Sequence, residues 1–149
     1  QLIVFIISML PILELRGGLI AASLLKLPPL ESYIIAIVGN VIPVPFILLL
    51  INKILRAMEK SRFKLFNGIH SFLHKKIMKN KDSIEKYGFW GLVIFVGIPL
   101  PGTGAWTGAI IAAFLDMDRK KAFLGILLGM LMASIIMMII SFGLISKVA

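Results

Sequence analysis

The stretch PLPGTGAWTGAIIAA, from Pro99 to Ala113, places two prolines and three glycines in the middle of a long apolar run. Proline removes a helix donor, and glycine in a helix interior is about 1 kcal/mol less favourable than alanine. A straight lipid-exposed helix does not tolerate such a cluster. An earlier run carries a second interruption, LPILELRGGLIAA from Leu10 to Ala22, with the charges Glu14 and Arg16 inside it. On insertion scales each of those charges is about 2.5 to 3.5 kcal/mol unfavourable at mid-helix in lipid. Non-helical backbone at membrane depth survives only where protein or a water-filled cavity surrounds it.

The solvent is indeed lipid. Of 149 residues 59% are apolar and 15% charged, mean hydropathy is +1.00, and the apolar residues form runs instead of alternating with polar ones. Four runs stand out: Leu2 to Leu25, Tyr33 to Ile51, Phe89 to Leu115 and Ala122 to Ile145. Each is near or above the ~20 residues a spanning helix needs. The first lacks a basic leader and reads as part of the membrane domain, not as a cleavable signal. The sequence contains no cysteine, which excludes disulfides, thiolate nucleophiles and thiol metal sites.

The net charge of +9 is concentrated between Lys53 and Lys86, which hold ten Lys/Arg against three acids. The positive-inside tendency makes this segment cytoplasmic, and a nucleic-acid partner is not expected. Phe66, Ile69, Leu73 and Ile77 recur at helical spacing, predicting a basic amphipathic helix along the inner leaflet and contact with membrane lipids. His70 and His74 share a helical spacing but lack a third ligand and sit beside Lys75 and Lys76, so no metal is expected. No cofactor is called for, and no nucleophile, base and orienting group recur together as an enzyme would require.

Shifting the chain by 90 residues superposes Phe5 on Phe95, Pro11 on Pro101, Gly18 on Gly108, Ala22 on Ala112 and Gly39 on Gly129. The Pro-to-Gly interval is seven residues both times. The predicted fold is therefore an all-α integral membrane protein built as an inverted repeat. Each unit is a re-entrant helical hairpin followed by a transmembrane helix, with repeat 1 at 1–55, the linker at 56–86 and repeat 2 at 87–149. Hairpin legs of ten to twelve residues rise ~15 to 18 Å, about half of a ~30 Å core. If the second hairpin returns to its own side, Arg119, Lys120 and Lys121 join the cytoplasmic basic segment. Inverted units with broken segments near the midplane are a recurring plan of secondary transporters.

LPILELRGGLIAA and PLPGTGAWTGA resemble the signatures of the small multidrug export proteins of bacteria and archaea, over essentially the whole chain. That family is more distantly similar to the DedA/VTT superfamily. The resemblance implies a prokaryotic cell membrane and two opposed re-entrant hairpins. It marks Glu14, Arg16, Gly17 and Gly18 in one, and Pro99, Pro101, Gly102, Thr103, Gly104, Trp106 and Gly108 in the other. Among DedA relatives the implied activity is transport of lipid-linked phosphates such as undecaprenyl phosphate, with or without proton coupling, or lipid scrambling. The family's own name implies multidrug export. Here PGTG stands where DedA proteins often place an acid after Pro-Gly, leaving the second hairpin without a carboxylate.

Taken on their own chemistry, these residues leave alternatives open. Arg16 presents a planar fork for phosphate or carboxylate, and Glu14 is a carboxyl that can take up a proton; otherwise the two form an ion pair that staples the hairpin tip. Gly102, Thr103 and Gly104 either expose N–H groups for an anion ahead of a half-helix or simply permit the reversal. Trp106, with Thr107 beside it, either flanks a substrate path or anchors at the interface. Asn40 lines a cavity or bonds a neighbouring helix, with Pro43 and Pro45 predicted to kink the helix after it. Two functional classes follow: a transporter of an anionic lipid phosphate or related amphiphile, with a water-accessible cavity at Glu14 and Arg16, or a scaffold that seals them. A small enclosure of this kind suits a homodimer.

Overall fold

A computed structural model of the chain describes residues 1–60, 64–65, 67–68, 71, 75, 81–100 and 102–145. Among the described residues the regular structure is helical, with no strand. The first apolar run is split. α1 (Leu2–Met9) ends at Leu10, whose φ of −71° and ψ of 138° are the extended values that a following proline imposes. The chain then restarts as α2 (Glu14–Leu24), leads into α3 (Pro29–Val41) and continues as α4 (Pro43–Glu59). After the segment centred on 61–80 come α5 (Lys81–Gly97), α6 (Ala105–Phe114) and α7 (Arg119–Met138), the last passing into a π-helical stretch, Ile139–Ile145. The third apolar run is thus split like the first, between Gly97 and Ala105.

Pro43 and Pro45 carry no N–H, so the carbonyls four residues earlier lose their helical donors and the ladder is interrupted between α3 and α4. The two together still form a continuous apolar rod, Pro29–Ile54. It and Arg119–Gly143 are the two helices long and apolar enough to cross a membrane among the described residues. α4 runs through the repeat boundary drawn at residue 55. The predicted amphipathic positions Phe66, Ile69, Leu73 and Ile77, and both histidines, lie outside the described residues.

The turns after α2 and α6 are the same turn, 90 residues apart. The amides of Leu25, Lys26 and Leu27 donate to the carbonyls of Ala21, Ser23 and Ala22, and those of Leu115, Asp116 and Met117 to Ile111, Ala113 and Ala112. This is a Schellman closure, which needs a left-handed residue just past the cap. Lys26 (φ 54°) and Asp116 (φ 50°) occupy that position, where glycine is unstrained. Lys26→Gly and Asp116→Gly are each expected to raise stability by about 1 kcal/mol, read as a higher unfolding midpoint in detergent. A lowered midpoint for both would contradict the left-handed conformation.

Each long helix also approaches its broken segment through a glycine. A Cβ on Gly39 of α3 would lie 2.8 Å from the carbonyl oxygen of Phe5, and one on Gly129 of α7 would lie 2.7 Å from that of Val93. Backbone cannot yield as a side chain does, so both helices depend on the missing Cβ for their contact distance. Between the two halves, α4 packs on α6, α2 packs on α7 and the π-helical stretch, and α3 packs on α7. The Ser23 hydroxyl donates to the Ser141 carbonyl in that stretch, and the hydroxyls of Tyr33 and Ser134 meet at 3.0 Å. Val4, Leu15, Leu19, Val44, Val96, Ile126 and Met130 are the fully buried apolar centre. Outward positions such as Leu30, Ile34, Leu49, Ile135 and Ile139 stay exposed, as lipid-facing residues do.

Candidate functional site

A helix broken inside a membrane leaves two orphaned ends: carbonyls at the C-terminus of the first piece and N–H groups at the N-terminus of the second. In the second broken segment these are the last carbonyls of α5 and the first amides of α6. Both ends are satisfied from the first broken segment, by Arg16 and Glu14.

Arg16 sits in the first turn of α2 and sends its guanidinium across to the chain between α5 and α6. Nη2 donates to the carbonyls of Val96 (3.3 Å), Ile98 (3.2 Å) and Thr103 (3.1 Å) and to Thr103 Oγ1 (3.2 Å), while Nη1 donates to the Leu100 carbonyl. Ile98 and Leu100 immediately precede Pro99 and Pro101, which supply no N–H to continue the helix. The planar fork serves several carbonyls at once, as an ammonium cannot. Thr103 secures the same turn, its hydroxyl lying 2.7 Å from the Ile98 carbonyl and 2.8 Å from that of Leu100. The positive charge also rests at the negative end of α5, where a helix favours cations.

Glu14 has the complementary task. Its φ is 50°, a left-handed conformation disfavoured by about 1 to 2 kcal/mol in an L-residue, and the carboxylate is buried, with 4% of the residue exposed. Oε2 accepts from the Ala105 amide at 3.1 Å and Oε1 from the Trp106 amide at 3.2 Å. An internal carboxylate therefore caps α6 and complements the positive end of its dipole. Gly104 makes room for it: a Cβ there would lie 1.8 to 2.1 Å from the atoms of the Glu14 carboxyl group.

The geometry changes the expected roles. The half-helix N-terminus after Gly102-Thr103-Gly104 does bind an anion, and that anion is Glu14. Glu14 and Arg16 each reach across to the other broken segment. Glu14 and Gly104 are also corresponding positions in the 90-residue repeat, so the contact joins a residue to its own counterpart.

The remaining positions divide. Gly102, with φ 81°, is the left-handed residue of the reversal. Gly17 lies against Leu13, Gly18 against Ser8 and the Val4 carbonyl, and Gly108 against Val96, all as close-packing glycines. Pro99 and Thr107 are half-buried, and Pro101 lies outside the described residues. Asn40 is fully buried, and neither amide atom has a hydrogen-bond partner among the described residues; the same holds for Ser8 Oγ and the Trp106 indole N–H. No His/Asp/Glu group suited to a metal occurs among the described residues. Sequence reasoning missed the carbonyls of Val96, Ile98 and Leu100 and the amide of Ala105. These are backbone atoms, and the only signal for them was the pair of prolines that breaks the helix there.

The chain is thus a helical membrane protein whose two broken segments are bound together by charge-to-backbone contacts. A family model described as "Putative small multi-drug export protein" matches residues 14–136, starting at Glu14 and taking in the whole brace. The chain belongs to that family of small multidrug export proteins. No curated protein and no solved structure matches it.

Proposed function

We propose that this protein is a transporter of the prokaryotic cell membrane that moves an amphiphile, in the first instance a lipid-linked phosphate, along the seam between its two broken segments. The single observation that carries the reading is the brace itself. Two charges held inside apolar segments are bound by backbone atoms of the opposite segment and, for Arg16, by the Thr103 hydroxyl. Intramembrane charges are rare and mark substrate and ion pathways by default. Arg16 binds carbonyl oxygens in the closed seam, and phosphate oxygens offer the same fork-shaped acceptor set when the seam parts. Protonation of Glu14 removes the anion that caps α6, so a proton can loosen the same joint.

The contact between Glu14 and its counterpart Gly104 supports a two-fold relation between the units, as in inverted-repeat transporters. In this reading the broken segments are re-entrant, the basic segment 53–86 faces the cytoplasm beside anionic lipid, and two copies assemble as a homodimer. Lipid scrambling uses the same seam without a coupling ion.

A second reading, a non-transporting scaffold, is favoured by the burial of Glu14 and the full engagement of the brace. The two separate in proteoliposomes loaded with a labelled polyprenyl phosphate, comparing wild type with Glu14→Gln and Arg16→Lys at equal amounts of folded, inserted protein. Transport predicts movement in the wild type and at least a tenfold loss in both variants. Equal movement in all three would reduce the charges to structural ties, and no movement under either direction of pH gradient would leave the scaffold.

A further inference from the structure

An apolar groove of about 460 Å³ runs between α4 and α6, walled by Phe46, Leu50, Ile51 and Ile54 on one side and by Trp106 and Ile110 on the other. We infer that this groove is a binding site for one acyl chain of an anionic phospholipid whose head group rests on Lys53. The inference goes beyond transport and does not depend on it.

Three observations carry the occupant. Every side chain lining the groove is apolar apart from one indole N–H, so a charged body does not belong inside it. The wall along α4 extends from Ile42, just before that helix, to Ile54, twelve residues or ~18 Å at 1.5 Å each. That is close to the ~15 Å hydrocarbon depth of a single leaflet. Charge complementarity marks the end. Lys53 follows Phe46 by seven residues and Leu50 by three, which places it on the ridge bordering the groove, and Arg56 and Lys60 are exposed just beyond.

The groove is also continuous with the brace, because Trp106 lines it with its side chain while its amide is held by Glu14. A chain lying there bears on the residue that fixes the start of α6.

Trp106 reports occupancy directly. The only other tryptophan, Trp90, is exposed, and Trp90→Phe leaves Trp106 as the sole emitter. The full chain carrying this change is reconstituted in vesicles containing phospholipid brominated part-way down its chains, with either a phosphatidylglycerol or a phosphatidylcholine head group. The expected result is Trp106 quenching by both, with about a fivefold preference for the anionic lipid, the selectivity one lysine near an anionic surface supplies. Lys53→Gln should leave the quenching and abolish the preference. Equal quenching by the two lipids in the parent would overturn the head-group assignment. Absence of quenching by either would mean that protein fills the groove, and the site would be withdrawn.

Discussion

Gly104→Ala is expected to destabilise the protein by about 3 to 5 kcal/mol, the loss typical of breaking a buried charged contact by displacing one partner. The backbone is not the reason. Gly104 has φ −90° and ψ −170°, which alanine adopts without strain. The added Cβ would instead occupy the space of the Glu14 carboxyl group, at 1.8 to 2.1 Å from its atoms. The carboxylate must leave the amides of Ala105 and Trp106, giving up the cap of α6 while remaining in an apolar interior. The measurement is the unfolding midpoint in detergent, within a double-mutant cycle that includes Glu14→Gly. That variant removes the carboxylate and relieves its left-handed φ. In the Glu14→Gly background the Gly104→Ala effect should shrink to about 1 kcal/mol, the ordinary penalty of alanine at an N-cap. Additive effects would show that Gly104 acts on something other than Glu14.

Arg16→Leu is the second large expectation, with a destabilisation of about 3 to 5 kcal/mol or failure to insert as folded protein. Leucine keeps the apolar bulk but withdraws the donor shared by the carbonyls of Val96, Ile98, Leu100 and Thr103. The carbonyls of Ile98 and Leu100 keep their contacts with the Thr103 hydroxyl and with backbone amides, but those of Val96 and Thr103 lose a donor that an apolar interior does not replace. Arg16→Lys restores the charge without the fork and should recover less than half of the loss, as a point charge cannot reach acceptors spread along one turn. Full recovery by lysine would mean that the cation matters only for the dipole of α5. Thermal unfolding followed by size-exclusion of the detergent-solubilised protein reads all three forms.

The two broken segments were legible because proline, glycine and charge are anomalous in an apolar run, and their positions fall where α1 gives way to α2 and α5 to α6. The recurring turn was legible less directly: Lys26 and Asp116 share a left-handed φ without sharing a side chain, so only the 90-residue shift hinted at it. Membership of the small multidrug export family was legible in the same two motifs. The brace was not. Glu14 and Arg16 are two residues apart, and local reasoning makes them partners of one another. Their actual partners lie 80 or more residues away and are almost all backbone atoms, which every residue carries and no motif distinguishes. The carboxylate missing from PGTG has a similar answer. The second broken segment receives one from Glu14, and Gly104 is the counterpart small enough to admit it.

Composition and pattern by themselves determined the solvent, the helical class, the places where helices must break and the presence of charges that need partners. Those conclusions follow from covalent facts: an apolar run seeks lipid, proline lacks a donor, and a charge in hydrocarbon must be neutralised or paired. Which partner each charge takes was decided by tertiary structure alone. Pairing across the two broken segments depends on how closely α2 approaches the ends of α5 and α6, and that distance is set by glycines and packed helices far apart in the chain.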